Sequence, residues 1–124
     1  MKSWEVLTVY TISKSFSFSA SHIIEGLPEG HKCARLHGHN YEVELVLQSE
    51  ELNEVGFVVD YGDLSPFKAF IDENLDHRHL NDILEPTSAE ALAKYLFDKA
   101  KEIWPQTKAV RVSETPKTMA EYRE

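Results

Sequence analysis

Three histidines in this chain have the spacing of a metal site. His37 and His39 are separated by one residue, so in an extended strand both side chains project from the same face. His22 ends an earlier alternating segment, again on its apolar face. A single histidine there is more often a hydrogen-bonded core residue, but three that converge lose hydration unless a shared ion satisfies them. Three nitrogen ligands with no evident fourth match an open, catalytic zinc site, and Gly38 is expected to leave room for the ion.

The only cysteine of the chain, Cys33, lies four residues before His37. With one cysteine no internal disulfide can form. Most lone cysteines are small buried thiols, but the neighbouring Lys32 and Arg35 favour an exposed, reactive thiolate. Cys33 can instead be a fourth metal ligand that closes a structural site. The residues alone leave both interpretations open.

A carboxylate and an imidazole are adjacent at Asp76 and His77, after the first predicted helix. In such a pair the carboxylate can orient the imidazole for proton transfer. The alternative interpretation is a solvated segment that ends a helix. Together with a thiolate at Cys33, the pair predicts an acid–base assembly.

Glu114 extends the apolar face formed by Val110 and Val112 in a predicted strand. A carboxylate in that position is unfavourable unless it is paired. It can pair with a cation of the protein, or it can accept two N–H groups from a heterocyclic ligand. Four basic residues, each more often a surface charge, are candidates for binding anionic groups of such a ligand: Lys32, Arg35, Arg78 and Lys117.

Alternating apolar and polar residues predict the strands that position these side chains. Segment 4–22 alternates throughout, and segment 37–47 does so again, while residues 25–36 contain glycine and proline and predict a loop. If the two strands pair as an antiparallel hairpin, His22 ends one strand where His37 and His39 begin the other.

The rest of the chain predicts helices and shorter strands. Segment 56–61 predicts a third strand, and Ser65 is the expected N-cap of a helix that continues through Leu75. A capping box at Thr87 and Glu90 predicts a second helix, which ends before Pro105. Residues 108–114 alternate again. This order predicts an α+β domain with a largely antiparallel sheet.

Composition limits the classes of protein to which this chain can belong. The 124 residues suit a single domain, 1–124, with 21 acidic and 13 basic residues and a net charge of −8. That charge disfavours general nucleic-acid binding and anionic membrane surfaces. No apolar stretch approaches the roughly 20 residues that span a bilayer, and the first residues lack a signal-peptide core, so we expect a cytoplasmic protein.

Six segments occur in the same order as in one known family. They are Phe18-Ser-Ala-Ser-His22, His31-Lys-Cys-Ala-Arg-Leu-His-Gly-His39, Asp60-Tyr61, Leu75-Asp-His-Arg-His-Leu-Asn81, Pro86-Thr87 and Ser113-Glu-Thr115. As a set they resemble the 6-pyruvoyl-tetrahydropterin synthase superfamily over nearly the whole chain. The short Cys-x-x-x-His-Gly-His spacing is most similar to its 6-carboxy-5,6,7,8-tetrahydropterin synthase branch, of the queuosine pathway. The Phe-Ser-Ala-Ser-His segment looks more like the pyruvoyl type.

The resemblance implies a tunnelling fold and a reaction. The fold is an antiparallel sheet with two helices on one face, which trimerises into a barrel and forms a hexamer as a dimer of trimers. The reaction is a zinc-dependent lyase step that converts 7,8-dihydroneopterin triphosphate to 6-carboxy-5,6,7,8-tetrahydropterin, acetaldehyde and triphosphate, with the substrate bound near subunit boundaries. A pyruvoyl-type synthase, which eliminates triphosphate, is the alternative. A pterin- or metal-binding protein without turnover is a third hypothesis.

The resemblance also implies a role for each site residue. The matching positions are His22, His37 and His39 as zinc ligands, Cys33 as the catalytic thiol, Asp76 and His77 as its acid–base partners, and Glu114 as the anchor of the pterin ring. These roles agree with the chemistry that the residue types allow, and they favour Cys33 as a thiol beside the metal.

Overall fold

The structure, a computed structural model, describes residues 8–124. Residues 4–7 of the predicted first strand lie outside this range. Within it, one sheet of order β3-β1-β2-β4-β5 is formed by β1 (Tyr10–His22), β2 (His37–Ser49), β3 (Arg78–His79), β4 (Thr107–Ser113) and β5 (Ala120–Arg123). The helices are α1 (Ser65–Asn74) and α2 (Ala89–Ile103), with short 3-10 turns at Lys32–Ala34, Tyr61–Leu64 and Leu80–Asp82.

The predicted hairpin is present, and its register brings the histidines together. Strands β1 and β2 pair antiparallel along their full length, with His22 opposite His37 and Ala20 opposite His39. Because side chains alternate between the faces of a strand, all three histidines project from the face that also carries the apolar residues. The hairpin therefore places the imidazoles at the open end of the core.

Both helices pack on the same face of the sheet. Fully buried side chains from strands and helices form one cluster, for example Leu45 on β2, Val110 on β4, Ile71 on α1 and Leu96 on α2. The opposite face carries the serines of β1, and no helix of residues 8–124 covers it. The α+β prediction, an antiparallel sheet with two helices on one face, is confirmed, with the addition of a short parallel pairing between β1 and β3.

Segment 56–61 is not a strand, contrary to the prediction. Gly56 has φ +90°, and the Asn53 side chain accepts the backbone N–H groups of Val55 and Phe57, so the chain turns there. The Asp60 side chain then caps a 3-10 turn by accepting the N–H of Gly62. Apolar residues in this segment reflect partial burial in a turn, which periodicity does not separate from a short strand.

Both predicted helix caps are displaced by one residue. Leu64 occupies the cap position of α1, and Ser65 is already helical. At α2 the N-cap is Ser88, whose hydroxyl accepts the N–H of Ala91. Thr87 therefore does not cap α2, and it is buried beside the histidines instead.

The two strands that the sequence patterns did not predict are short. Strand β3 has two residues, and β5 has four, of which two are charged. Neither gives enough alternation to be recognised. Within residues 8–124, neither helix has the length and apolarity that crossing a bilayer requires.

Candidate metal centre and active site

The three predicted metal ligands meet at one point. Each of His22, His37 and His39 offers a ring nitrogen, and these atoms all lie within 4.8 Å of one another. The ring centroids of His22 and His37 are 4.4 Å apart, and those of His22 and His39 are 5.2 Å apart. The cluster therefore has the donor atoms and the spacing of a three-histidine cation site.

Backbone carbonyls set the tautomers of two of these rings. Nδ1 of His22 donates to the carbonyl of Thr87 at 2.9 Å, and Nδ1 of His37 donates to the carbonyl of Arg35 at 2.7 Å. Each Nε2 atom then carries a lone pair, the form that binds a metal. Nε2 of His22 is buried and has no hydrogen-bond partner.

A carboxylate faces these lone pairs. Oε2 of Glu114, which follows β4, lies 3.4 Å from Nε2 of both His22 and His39. The lone pair on Nε2 of His22 and the carboxylate oxygen repel each other in a partly buried site unless a cation compensates. The donor set and the orphaned Nε2 of His22 both fit a bound divalent cation.

Burial favours the neutral, metal-binding form of His22. Desolvation lowers the pKa of His22 below its ordinary value of 6.5, and His37 and His39 act in the same direction, while the Thr87 carbonyl and Glu114 oppose it. Tyr41, fully buried beneath the rings, has a pKa raised above its ordinary value by burial and by Glu114. Tyr41 therefore remains a neutral hydroxyl beside the histidines.

Cys33 lies in the same depression as the metal cluster. It is half-buried on the turn Lys32–Ala34, and this depression is also lined by the three histidines, Glu114 and the start of α2. The loop is held in place because the Cys33 N–H donates to Nδ1 of His31 and the Cys33 carbonyl accepts the N–H of Ile24. In the described range, the sulfur lies outside the group of ligand atoms that converge within 4.8 Å.

Asp76 and His77 form the predicted dyad. Oδ2 of Asp76 lies 3.0 Å from Nδ1 of His77, and Oδ1 accepts the N–H of Ser19 at 2.9 Å. His77 has φ +59°, and its N–H donates to the Ser19 carbonyl, so the edge of β1 holds both residues. The Ser19 N–H, followed by His77, lowers the pKa of Asp76 below its ordinary value of 3.8. Asp76 is thus an ionised carboxylate that orients an imidazole.

One chain does not bring the dyad and the thiol together. His77 is 81% exposed and lines a depression with Ser19, Ser21 and Asn40, the residues of the helix-free face. Cys33 lines the depression on the core face. Within one chain the dyad and the thiol therefore line two different depressions, which share His39, and their joint acid–base role stays a prediction.

Gly38, which was expected to leave room for the ion, has a role in strand packing. A Cβ atom at this position would lie 3.2 Å from the Ala20 carbonyl oxygen, so the residue allows β1 and β2 to approach closely.

The basic residues that were candidates for binding anionic groups lie in different places. Lys32 lines the metal depression, and Arg78 lines the helix-free face and donates to the Glu73 carbonyl. Arg35 and Lys117 are exposed.

The sequence patterns missed the residues that support the ligands. Thr87 supplies the carbonyl that binds His22, and Asn81 hydrogen-bonds both backbone groups of Ile23, the next residue after His22. Both occur in segments that were singled out, but no periodicity or spacing signals a contact made through a backbone carbonyl.

The fold and the site define a class of small α+β proteins with a three-histidine centre at the end of a hairpin. The family model for 6-pyruvoyl tetrahydropterin synthase matches residues 11–124. This chain belongs to that family.

Relatives and solved structures agree with this assignment. The chain is 39% identical to a 6-carboxy-5,6,7,8-tetrahydropterin synthase of Synechocystis, over 92% of this chain and 93% of that protein. It is 32% identical to the Bacillus subtilis protein of the same name, over 92% and 85%. The structure of Caenorhabditis elegans 6-pyruvoyl tetrahydropterin synthase superposes with a TM-score of 0.81 at 28% identity, covering 95% of this chain and 97% of that one. The predicted tunnelling fold is confirmed for the single chain, and its assembly into a barrel stays a prediction.

Proposed function

We propose that this protein is a zinc-dependent lyase that converts 7,8-dihydroneopterin triphosphate to 6-carboxy-5,6,7,8-tetrahydropterin, acetaldehyde and triphosphate. The observation that carries the proposal is the convergence of three ring nitrogens beside Cys33 and Glu114 in one depression. The Synechocystis and Bacillus relatives named for this product support it. So does the short spacing from Cys33 to His37.

Zinc is the metal that best suits the donor set. Three neutral imidazoles from His22, His37 and His39, with a position left open for substrate, are typical of catalytic zinc. When bound, the ion supplies Lewis acidity to the hydroxyls of the substrate side chain. The protein's part is to hold the three Nε2 atoms and to exclude a fourth side-chain ligand.

The remaining residues bind the ring and move protons. The Glu114 carboxylate accepts two N–H groups of the pterin, which fixes both position and orientation. The Cys33 thiolate takes protons from the substrate side chain during its internal redox shift and the elimination of triphosphate. His77, oriented by Asp76, returns protons to the carbon and oxygen atoms that need them. Hydrolysis of the carbon–carbon bond between the two side-chain carbonyl carbons, in which water supplies the second carboxyl oxygen and the aldehyde hydrogen, then releases acetaldehyde and leaves the 6-carboxy group.

A second copy of the chain completes this site in our proposal. Cys33 and His77 line different depressions, and His77 is exposed, so we propose that His77 serves the thiol of another copy. Assembly into a trimeric barrel, and of two trimers into a hexamer, provides such neighbours. A cytoplasmic location, in the queuosine pathway, agrees with a reduced thiol at Cys33.

Product analysis tests the proposal. Purified protein is assayed for bound metal, then incubated with 7,8-dihydroneopterin triphosphate, and trapped acetaldehyde and 6-carboxytetrahydropterin are measured. Both products are expected, and the Cys33→Ala variant is the matched control that retains metal. Bound metal with the substrate left unchanged would refute the lyase assignment and favour a binding protein.

A pyruvoyl-type synthase is the second candidate. The Phe18-Ser-Ala-Ser-His22 segment and the likeness to the Caenorhabditis elegans enzyme favour it. In the same assay, 6-pyruvoyl-tetrahydropterin would accumulate as a stable end product and no acetaldehyde would form.

A further inference from the structure

Asn81 holds the end of β1 at the point where His22 enters the metal centre. Its Oδ1 accepts the N–H of Ile23 at 2.9 Å, and its Nδ2 donates to the carbonyl of the same residue at 2.9 Å. One amide side chain thus satisfies both backbone groups of Ile23, as a neighbouring strand would. The residue that follows the His22 ligand is fixed in position and in orientation.

The same side chain connects β1 to the segment before α2. The second N–H of the Asn81 amide donates to Oε2 of Glu85 at 3.1 Å. Two residues further on, the hydroxyl of Thr87 donates to the Ile23 carbonyl at 3.3 Å, and the Thr87 carbonyl accepts from Nδ1 of His22 at 2.9 Å. These hydrogen bonds, together with the chain between Glu85 and Thr87, form a network around the backbone of Ile23.

This network of hydrogen bonds determines where the His22 imidazole points. His22 is fully buried, and the Thr87 carbonyl is the acceptor that holds Nδ1 protonated and Nε2 directed at the other two histidines. If the strand end and the Thr87 carbonyl shift relative to each other, Nε2 leaves the common point. Contacts behind a metal-binding histidine typically change metal affinity by about 10–100-fold.

We propose that Asn81 is a positioning residue for the metal centre, acting through Ile23 and Thr87 on the orientation of His22. The proposal rests on the metal site of the proposed function, but not on the reaction assigned to it. A merely structural role for Asn81 would lower the stability of the metal-free protein and leave the geometry of the bound metal unchanged. Metal affinity and the spectrum of bound Co²⁺ therefore separate the two.

The test uses metal-free protein, Zn²⁺ affinity from competition with a chromophoric chelator, and the visible spectrum of the Co²⁺ form. Asn81→Ala is expected to weaken Zn²⁺ binding by about 10–100-fold and to alter the Co²⁺ spectrum. Asn74→Ala is the matched control, because the exposed Asn74 amide on α1 also donates to a backbone carbonyl, that of Phe70. The control should bind Zn²⁺ as the wild type does.

Wild-type Zn²⁺ affinity and an unchanged Co²⁺ spectrum in Asn81→Ala would overturn the proposal. If that variant does not fold, two milder ones replace it. Asn81→Asp keeps the acceptor for Ile23 but loses both donors, and Thr87→Val loses only the hydroxyl. Weaker Zn²⁺ binding is expected in both variants. Wild-type Zn²⁺ affinity in both would overturn the proposal. A wild-type protein that binds Zn²⁺ but forms no pterin product would refute the lyase alone.

Discussion

The buried imidazole of His22 and the carboxylate of Glu114 face each other across 3.4 Å, with Nε2 as the nearest nitrogen. Nδ1 of the same ring is committed to the Thr87 carbonyl, so Nε2 presents a lone pair to the carboxylate oxygen. Such a pair is stable when a cation lies close to both groups. This relationship connects the metal centre to the residue that we propose as the pterin anchor.

Removing a ligand and removing the thiol should have different effects. His37→Ala is expected to lose bound metal, because two histidines cannot hold the ion as three do. Cys33→Ala is expected to keep its metal and its fold while turnover falls by about 10²–10⁴-fold, the usual contribution of a proton-transfer group. Metal content by mass spectrometry and steady-state rates provide the check. Equal metal loss in both variants would contradict the assigned roles.

Glu114→Gln should weaken substrate binding. An amide oxygen has no charge and accepts the two ring N–H groups less well, so the loss of a charged hydrogen bond, about 1.5–3 kcal/mol, raises KM by roughly 10–100-fold. Steady-state kinetics measure this, with the exposed Glu102→Gln as a matched control. A fall in metal content that accounts for the whole effect would show that the carboxylate serves the ion and not the ring.

The Asp76 contacts predict a pH-dependent stability. Because the folded-state pKa lies below the ordinary value of 3.8, the unfolded chain binds more protons, and stability rises with pH in this region. The contribution is complete above 3.8 and is lost as pH falls through the folded pKa. The free energies of unfolding of metal-free wild type and Asp76→Asn, measured with urea, should therefore differ above pH 3.8 and approach each other below it. A difference that is constant across this range would contradict the prediction.

Two inactive variants should complement each other. Cys33→Ala retains the dyad and His77→Ala retains the thiol, so mixed oligomers contain sites in which the two intact groups come from different copies. Unfolding and refolding the two variants together should restore part of the wild-type activity, whereas each refolded alone remains inactive. Equal inactivity of the mixed and separate samples would indicate that both groups serve the same chain.

Core packing should dominate the stability of the fold. Leu45 on β2 is fully buried between the sheet and the helices, whereas Leu52 is exposed. Leu45→Ala is expected to lower the free energy of unfolding by about 2–5 kcal/mol, because it removes apolar contacts and leaves a cavity. Leu52→Ala should change it much less. Urea denaturation at neutral pH compares the two, and similar losses would contradict the assigned core.

The regular parts of the fold and the metal ligands were predictable from the sequence for one reason. Alternation over residues 4–22 and 37–47 predicts which face each side chain occupies, and it placed His22, His37 and His39 on the apolar face. An antiparallel hairpin of these two segments was the condition for the histidines to meet, and the structure has that hairpin. Short or irregular elements, such as β3 and segment 56–61, give too few residues for periodicity to separate strand from turn.

The amino-acid sequence by itself determined the chemistry that is available: three imidazoles, one thiol, a carboxylate–imidazole pair and a carboxylate at a strand end. Only the tertiary structure decided which of these side chains lie together. It put Cys33 and Glu114 with the histidines, directed His77 to the other face, and surrounded His22 with Thr87 and Asn81. The physical reason is that these arrangements depend on contacts between residues far apart in the chain and on backbone carbonyls, which every residue possesses and no sequence pattern distinguishes.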